Sequence, residues 1–253
     1  MILFVFEGDE GEPSFYRTLE KLYFPKNNNN IICSFGNNIY ELYNEMMELE
    51  GDGDIISVMK ERLSRKGDTT LEKFKSSDFS EIYLFFDYDF QNTQLTLDQI
   101  NERMKQMLEL FSEETDCGKL YVNYPMLESI RYVKELPDDD YYKDEVDRQE
   151  CTDFKRLSGK FSCFDNLDFL IFKKGEKPSH ERYMRIRENW EILRTMNVSK
   201  ANYLISGENA MPKNKADVGQ MAVFEAQITK YVLPKNSVSV LNSFPIFIYE
   251  YLK

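Results

Sequence analysis

Residues 82–89 read Ile82-Tyr83-Leu84-Phe85-Phe86-Asp87-Tyr88-Asp89, and this stretch decides the fold of the first half of the chain. An unbroken apolar run of this length is a strand, and one without polar alternation is buried on both faces, as in a parallel sheet. It stops abruptly at two acids. The chain opens on the same design, with Ile2-Leu3-Phe4-Val5-Phe6 followed by Glu7-Gly8 and then Asp9-Glu10-Gly11-Glu12-Pro13. An acid followed by Pro marks a helix start, with Pro13 at the first helical position. Phe15, Leu19 and Leu22 then recur at helical spacing. Between the two strands lie a polar run at Asn27–Asn30, a second short strand at 31–35, and helical patterns over 38–49 and 54–65 separated by Gly51-Asp52-Gly53.

Beyond Asp89, Thr96 and Gln99 form a capping-box pair, and Leu97, Ile100, Met104, Leu108 and Phe111 make a helical stripe. Leu120-Tyr121-Val122 is a fourth strand, followed by Asn123-Tyr124-Pro125 and a helix start through Met126-Leu127-Glu128. Strands and helices therefore alternate over roughly the first 135 residues, which predicts an α/β fold with a parallel sheet flanked by helices. Right-handed crossovers bring every strand's carboxyl end to one edge, where such sheets bind ligands. The acidic stretch from Asp138-Asp139-Asp140 to Gln149 breaks the pattern. The expected organisation is an α/β domain over 1–136, an acidic linker over 137–150 and a mostly helical, net basic region over 151–253. Helical stretches are expected at 151–158, 179–196 and 217–232, a short strand at 238–241, and an apolar helix opened by Pro245.

Composition narrows the function classes. With 19 Phe and 16 Tyr the chain is not disordered. No apolar run approaches the ~18 residues of a membrane span, and the N-terminus lacks the basic start of a secretory signal, so a cytoplasmic protein is expected. Cys33, Cys117, Cys151 and Cys163 include no CxxC, which argues against a zinc site or a disulfide framework. The single histidine, His180, disfavours Ser-His-Asp chemistry and histidine-rich metal sites. The net charge of −12 hides a division: residues 1–150 carry 33 acidic and 16 basic side chains, residues 151–253 carry 11 and 16. Such asymmetry fits an anionic partner for the second part, and it also fits acidic surface helices in the first.

Acids stand at successive strand ends: Glu7, the pair Asp87/Asp89, and Glu128 just beyond the fourth strand. Residues two apart on a strand share a face, so Asp87 and Asp89 are expected to aim together at one ion. Carboxylates without histidines suit a hard cation, Mg²⁺ or Mn²⁺.

These residues resemble the Toprim domain of topoisomerases, DnaG-type primases, small ribosomal-RNA maturases and overcoming-lysogenization-defect nucleases. The resemblance rests on Glu7-Gly8 after the first strand and Asp87-Tyr88-Asp89 after a later one, and covers roughly residues 1–135. It implies that Glu7 does acid–base work and that the aspartates bind Mg²⁺. Finer features are similar to the RloB-like branch associated with phage defence. Its Glu-Gly-x-x-Glu motif corresponds to Glu7-Gly8 with either Glu10 or Glu12, of which Glu12 directly precedes Pro13. Its Pro-x-x-Glu segment corresponds to Pro125-Met126-Leu127-Glu128. No GxxxxGK[ST] motif occurs, so an ATPase of the kind found in larger members of that family would act in trans.

Phosphodiester chemistry also needs cations. Lys213 and Lys215 are candidates for neutralising a phosphate. Arg182, Arg185 and Arg187, with Tyr183 among them, could follow a nucleic-acid backbone, although a charged helix face paired with Glu181 and Glu188 has the same pattern. Three functions follow as expectations: a Mg²⁺-dependent nuclease cutting DNA or RNA as an anti-phage effector, a non-catalytic Toprim scaffold docked on a partner ATPase, or a small rRNA maturase. The state of assembly stays open between a monomer and a homo-oligomer.

Overall fold

The computed structural model describes residues 1–24, 30–48, 54–164 and 166–252. In chain order it contains β1 (Ile2–Phe6), α1 (Gly11–Tyr23), β2 (Asn30–Ser34), α2 (Ile39–Glu48), α3 (Ile55–Arg65), β3 (Glu81–Asp87), α4 (Leu97–Leu110), β4 (Ser112–Glu113) and β5 (Gly118–Asn123). These are followed by β6 (Glu145–Asp147), α5 (Arg148–Cys151), α6 (Phe154–Phe161), α7 (His180–Ser206), α8 (Gln220–Gln227), α9 (Leu233–Lys235), β7 (Ser237–Ser239) and α10 (Ser243–Tyr251). The main sheet runs β2-β1-β3-β5-β4 and is parallel except for the short β4.

Because side chains alternate along a strand, the sheet has two distinct faces. Leu3, Val5, Leu84, Phe86, Leu120 and Val122 lie in one core with α2, α3, α4 and α8. Phe4, Phe6, Tyr83, Phe85 and Tyr121 lie in the other with α1, α10 and the first half of α7. On this second face the register sets Phe4 beside Tyr83, Phe6 beside Phe85 and Phe85 beside Tyr121, with ring centroids 5.2–5.4 Å apart. Phe244 of α10 lies 4.5 Å from Phe85. Aromatic pairs at these separations add to the stabilisation from buried area.

Three expectations need correction. Helix α1 starts at Gly11, so Pro13 is its third residue; the first-turn amides have no intrahelical acceptor, and Pro costs little there. The segment opened by Met126 is a short 3₁₀ turn, Leu127–Arg131, and not an α-helix. Its Leu127 carbonyl accepts from Asn242 Nδ2 at 3.1 Å, so a contact from the far end of the chain takes the place of a helical ladder.

The third correction concerns the domain division, because residues 137–150 are not a linker. The buried Asp138 carboxylate accepts from the amides of Lys134 and Asp140, so the acidic run is a turn. Strand β6 pairs antiparallel with β7, and the buried Lys200 ammonium donates to the carbonyls of Tyr141 and Asp144, both at 2.8 Å. Residues 151–164 and 166–252 complete both cores. Helix α7 itself buries Ile186, Trp190 and Leu193 in one core and Val198, Ala201 and Leu204 in the other.

Candidate functional site

Glu7 continues β1 by one residue: its amide donates to Phe85 O at 3.1 Å, and its Oε2 accepts from the Asp87 amide at 2.9 Å. Two adjacent parallel strands therefore end in a mutual contact between their acids. Asp87 is the last residue of β3, is 9% exposed, and its Oδ1 accepts from Asn123 Nδ2 at 3.0 Å. Asn123 is the residue opposite Asp87 in the register of β5.

Asp89 does not share a strand face with Asp87. The strand is over by then, and Asp89 adopts a left-handed backbone at φ 51°. The Tyr88 and Asp89 amides donate to the carbonyls of Asn123 and Pro125, so the turn is held by the segment after β5. Arg148 clasps its far side by donating to Phe90 O at 2.9 Å and Asn92 O at 2.7 Å.

Of the two candidate second acids, Glu12 is the one brought inside. It is 5% exposed in the first turn of α1 and accepts from the Gly8 amide at 3.4 Å, whereas Glu10 is exposed. A Cβ on Gly8 would lie 2.9 Å from Glu12 Oε2, so the absence of a side chain lets the carboxylate close over the loop. Glu128 is half-buried on the 3₁₀ turn, with the Lys155 ammonium 3.3 Å away.

Burial first, then the Asp87 and Asp89 charges, raise the Glu7 carboxyl well above the usual range. Burial, then Glu12 and Asp89, does the same to Asp87, against hydrogen bonds from Asn123 and the Leu127 backbone. Burial also raises Glu12 and brings Asp89 to about 6. Like charges confined at low dielectric resist joint ionisation, which is the behaviour of a site that gains from a cation.

Among the described residues, no group of three or more His, Cys, Asp or Glu side chains converges as a ready-made metal cage. The hydrogen bonds give the reason. Glu7 turns to the Asp87 amide, Asp87 to Asn123, Asp89 to Gln91 at 2.9 Å, and Glu12 to Gly8. The donor set nevertheless suits a hard cation, being all oxygen. Gln91, whose Nε2 donates to Asp89, has a buried Oε1 with no hydrogen-bond partner among the described residues.

The expected cations stand elsewhere. Lys215 donates to the carbonyls of Glu250 and Leu252 at the end of α10; the Glu250 carboxylate pairs with Lys119 near the start of β5, which puts Lys215 toward the opposite edge of the sheet. Lys213 is exposed on the same connection. Arg182 is committed to the Glu176 carboxylate and to the carbonyls of Asp168 and Ile171, so it braces a loop. Tyr183 stacks on Phe172 and donates to carbonyls of α1, which removes it as a base platform. Arg185 and Arg187 are exposed and have no ion-pair partner among the described residues.

Sequence reasoning missed Asn123, Gln91 and Arg148. Asn123 carried a readable signal, a polar residue ending an apolar strand beside the one that ends in Asp87. No family model, no curated protein and no solved structure matches the chain. No helix among the described residues is long and apolar enough to cross a membrane.

Proposed function

We propose that this protein is a divalent-metal-dependent nuclease that cleaves phosphodiester bonds in DNA or RNA, with its centre at Glu7, Glu12, Asp87 and Asp89. The observation that carries the reading is the placement of Glu7, Glu12 and Asp87, from the end of β1, α1 and β3, at the carboxyl edge of a parallel sheet, with the Glu7 carboxylate on the Asp87 amide at 2.9 Å. A Mg²⁺ or Mn²⁺ ion held by Asp87, Asp89 and Glu12 would supply Lewis-acid polarisation of the phosphate and a more acidic bound water. Glu7, fixed by that amide, exchanges a proton with the attacking or leaving oxygen. Asn123 holds Asp87 in place, and Arg148 keeps the turn carrying Asp89 closed. The Toprim resemblance of Glu7-Gly8 and Asp87-Tyr88-Asp89 supports the same assignment and extends it to phage defence.

A second reading has its own support. The carboxylates are satisfied by protein donors and do not converge, as suits a scaffold that docks on a partner ATPase and cuts nothing. Incubation of labelled single-stranded DNA, RNA and transfer RNA with the protein and Mg²⁺ or Mn²⁺ separates the two. The nuclease reading expects cleavage that stops with chelator and in Glu7→Gln and Asp87→Asn. Cleavage that survives either variant removes these acids as the centre, and no cleavage with any substrate favours the scaffold.

A further inference from the structure

Two cavities flank the exposed side of α1. The first, of about 370 Å³, lies between the start of α1, the 3₁₀ turn after β5 and α6; Phe15, Leu127 and Ile171 are among its walls, and Glu10, Glu128, Arg131 and Lys155 are its charges. The second, of about 320 Å³, lies between α1, Ile32 of β2 and the loop at 172–175; Arg17, Lys21, Lys173 and Lys174 face it against the single acid Glu20. Ser14 lines both, so they are neighbours along α1.

The segment 167–175, which contributes residues to each cavity, is anchored. The Phe172 amide donates to the buried Thr18 Oγ1 at 3.0 Å, Trp190 Nε1 holds Leu170 O at 2.8 Å, and Asn189 Nδ2 holds Phe169 O at 2.8 Å. Arg17 and Lys174 are exposed and have no ion-pair partner among the described residues, whereas Lys173 is paired with Asp168. Lys155 is 82% exposed and pairs with Glu128 at 3.3 Å. Exposed cations thus stand beside both cavities, and Glu128, just beyond the acidic end of the sheet, lines the first.

We infer that these neighbouring cavities together form the track for a single-stranded segment of nucleic acid, bases against the apolar walls and phosphates toward Arg17, Lys174 and Lys155, which leads the strand toward the acids. The inference rests on the nuclease reading and names its substrate class. From Gly11 to Lys21, α1 spans about 15 Å at 1.5 Å per residue, enough for a few nucleotides. Cavities at the small end of the ligand-binding range admit a splayed single strand and exclude a stiff duplex.

The test is fluorescence anisotropy of labelled oligo(dT), oligo(rU) and a short duplex, titrated with the full chain in chelator over a range of salt. Both single strands should bind more tightly than the duplex. Each phosphate contact contributes about 0.7 to the log–log salt slope, so R17A/K174A should flatten it by about 1.4 and K155A by about 0.7. Arg185→Ala with Arg187→Ala should leave it unchanged. All these positions are on the surface, and circular dichroism verifies their folding; slowed amide exchange at 11–21 and 167–175 on adding oligo(dT) gives a readout that needs no variant. Preference for duplex, or unchanged slopes in R17A/K174A and K155A, overturns the track. Binding is read without cleavage, so a wild-type chain that binds through the track but cuts nothing with Mg²⁺ or Mn²⁺ refutes the nuclease reading alone. Cleavage indifferent to the track variants refutes the track alone.

Discussion

Asp89→Asn should stabilise the metal-free protein at pH 8 and do little at pH 4. Asp89 has its carboxyl raised from 3.8 to about 6, mainly by burial. A raised carboxyl means that the folded state binds the proton more tightly than the unfolded chain. Stability is therefore greatest below the unfolded value and falls as pH rises from about 4 to about 6, then stays level. The difference of 2.2 between the two values, at 1.36 kcal/mol per unit, makes the cost at pH 8 about 3 kcal/mol. Asn removes the charge, keeps an oxygen for Gln91 Nε2, and tolerates the left-handed backbone at φ 51° better than most residues. It also relieves Glu7 and Asp87, both of which the Asp89 charge raises. For a chain of this size, about 3 kcal/mol corresponds to a rise in Tm of roughly 6–12 °C at pH 8. Urea unfolding at pH 4 and pH 8 in chelator measures it. A variant no more stable than wild type at pH 8, or equally stabilised at both pH values, would refute the electrostatic account of the site. Added Mn²⁺ should raise the wild-type midpoint and move the variant less.

Asn123→Ala should cut activity by about tenfold or more and also lower stability, because Asp87 loses the donor at 3.0 Å that orients it and the buried Ser243 amide and hydroxyl lose their acceptor; recovery by Asn123→Ser would point instead to a packing role. Phe244→Ala should cost about 3–5 kcal/mol in denaturant unfolding, since the ring is fully buried against Phe6, Phe15 and Phe85. Residues 1–150 expressed alone should fail to give a cooperative unfolding transition, because α10 and α7 cover one face of the sheet; a sharp transition would restore the two-domain division. Gly8→Ala should lower activity through Glu12, whose Oε2 would sit 2.9 Å from the new methyl group, and metal titration should show weakened binding.

The parallel sheet was legible because its strands are unbroken apolar runs, and the helices between them because their stripes recur with the helical period. Glu7 and Asp87 were legible for the same reason, since a carboxylate that closes an apolar strand has only the sheet edge to occupy. Asp89 was misplaced because strand alternation was extended one step too far: the turn is imposed by the carbonyls of Asn123 and Pro125, from a strand more than thirty residues on. The acidic run at 138–140 looked like a linker because its polarity serves a local turn, and the pairing of residues 145–147 with 237–239 leaves no periodic trace. The arginines of α7 illustrate a different limit. Their spacing shows that they share a helix, but not that Arg182 is taken up by Glu176 while Arg185 and Arg187 remain free.

Helix α7 lacks a single apolar stripe because its two halves are buried in different cores, and this governs how the molecule comes apart. A helix of 27 residues that crosses from one side of the sheet to the other cannot be released from one core without loosening the other. The two layers are thus tied into one cooperative unit, and slow amide exchange should extend along the whole of α7 with a common opening energy rather than in two steps. The turn bearing Asp89 depends on contacts from β5 and α5, so it inherits the same rigidity. The acids are held by a framework that opens as a whole or not at all.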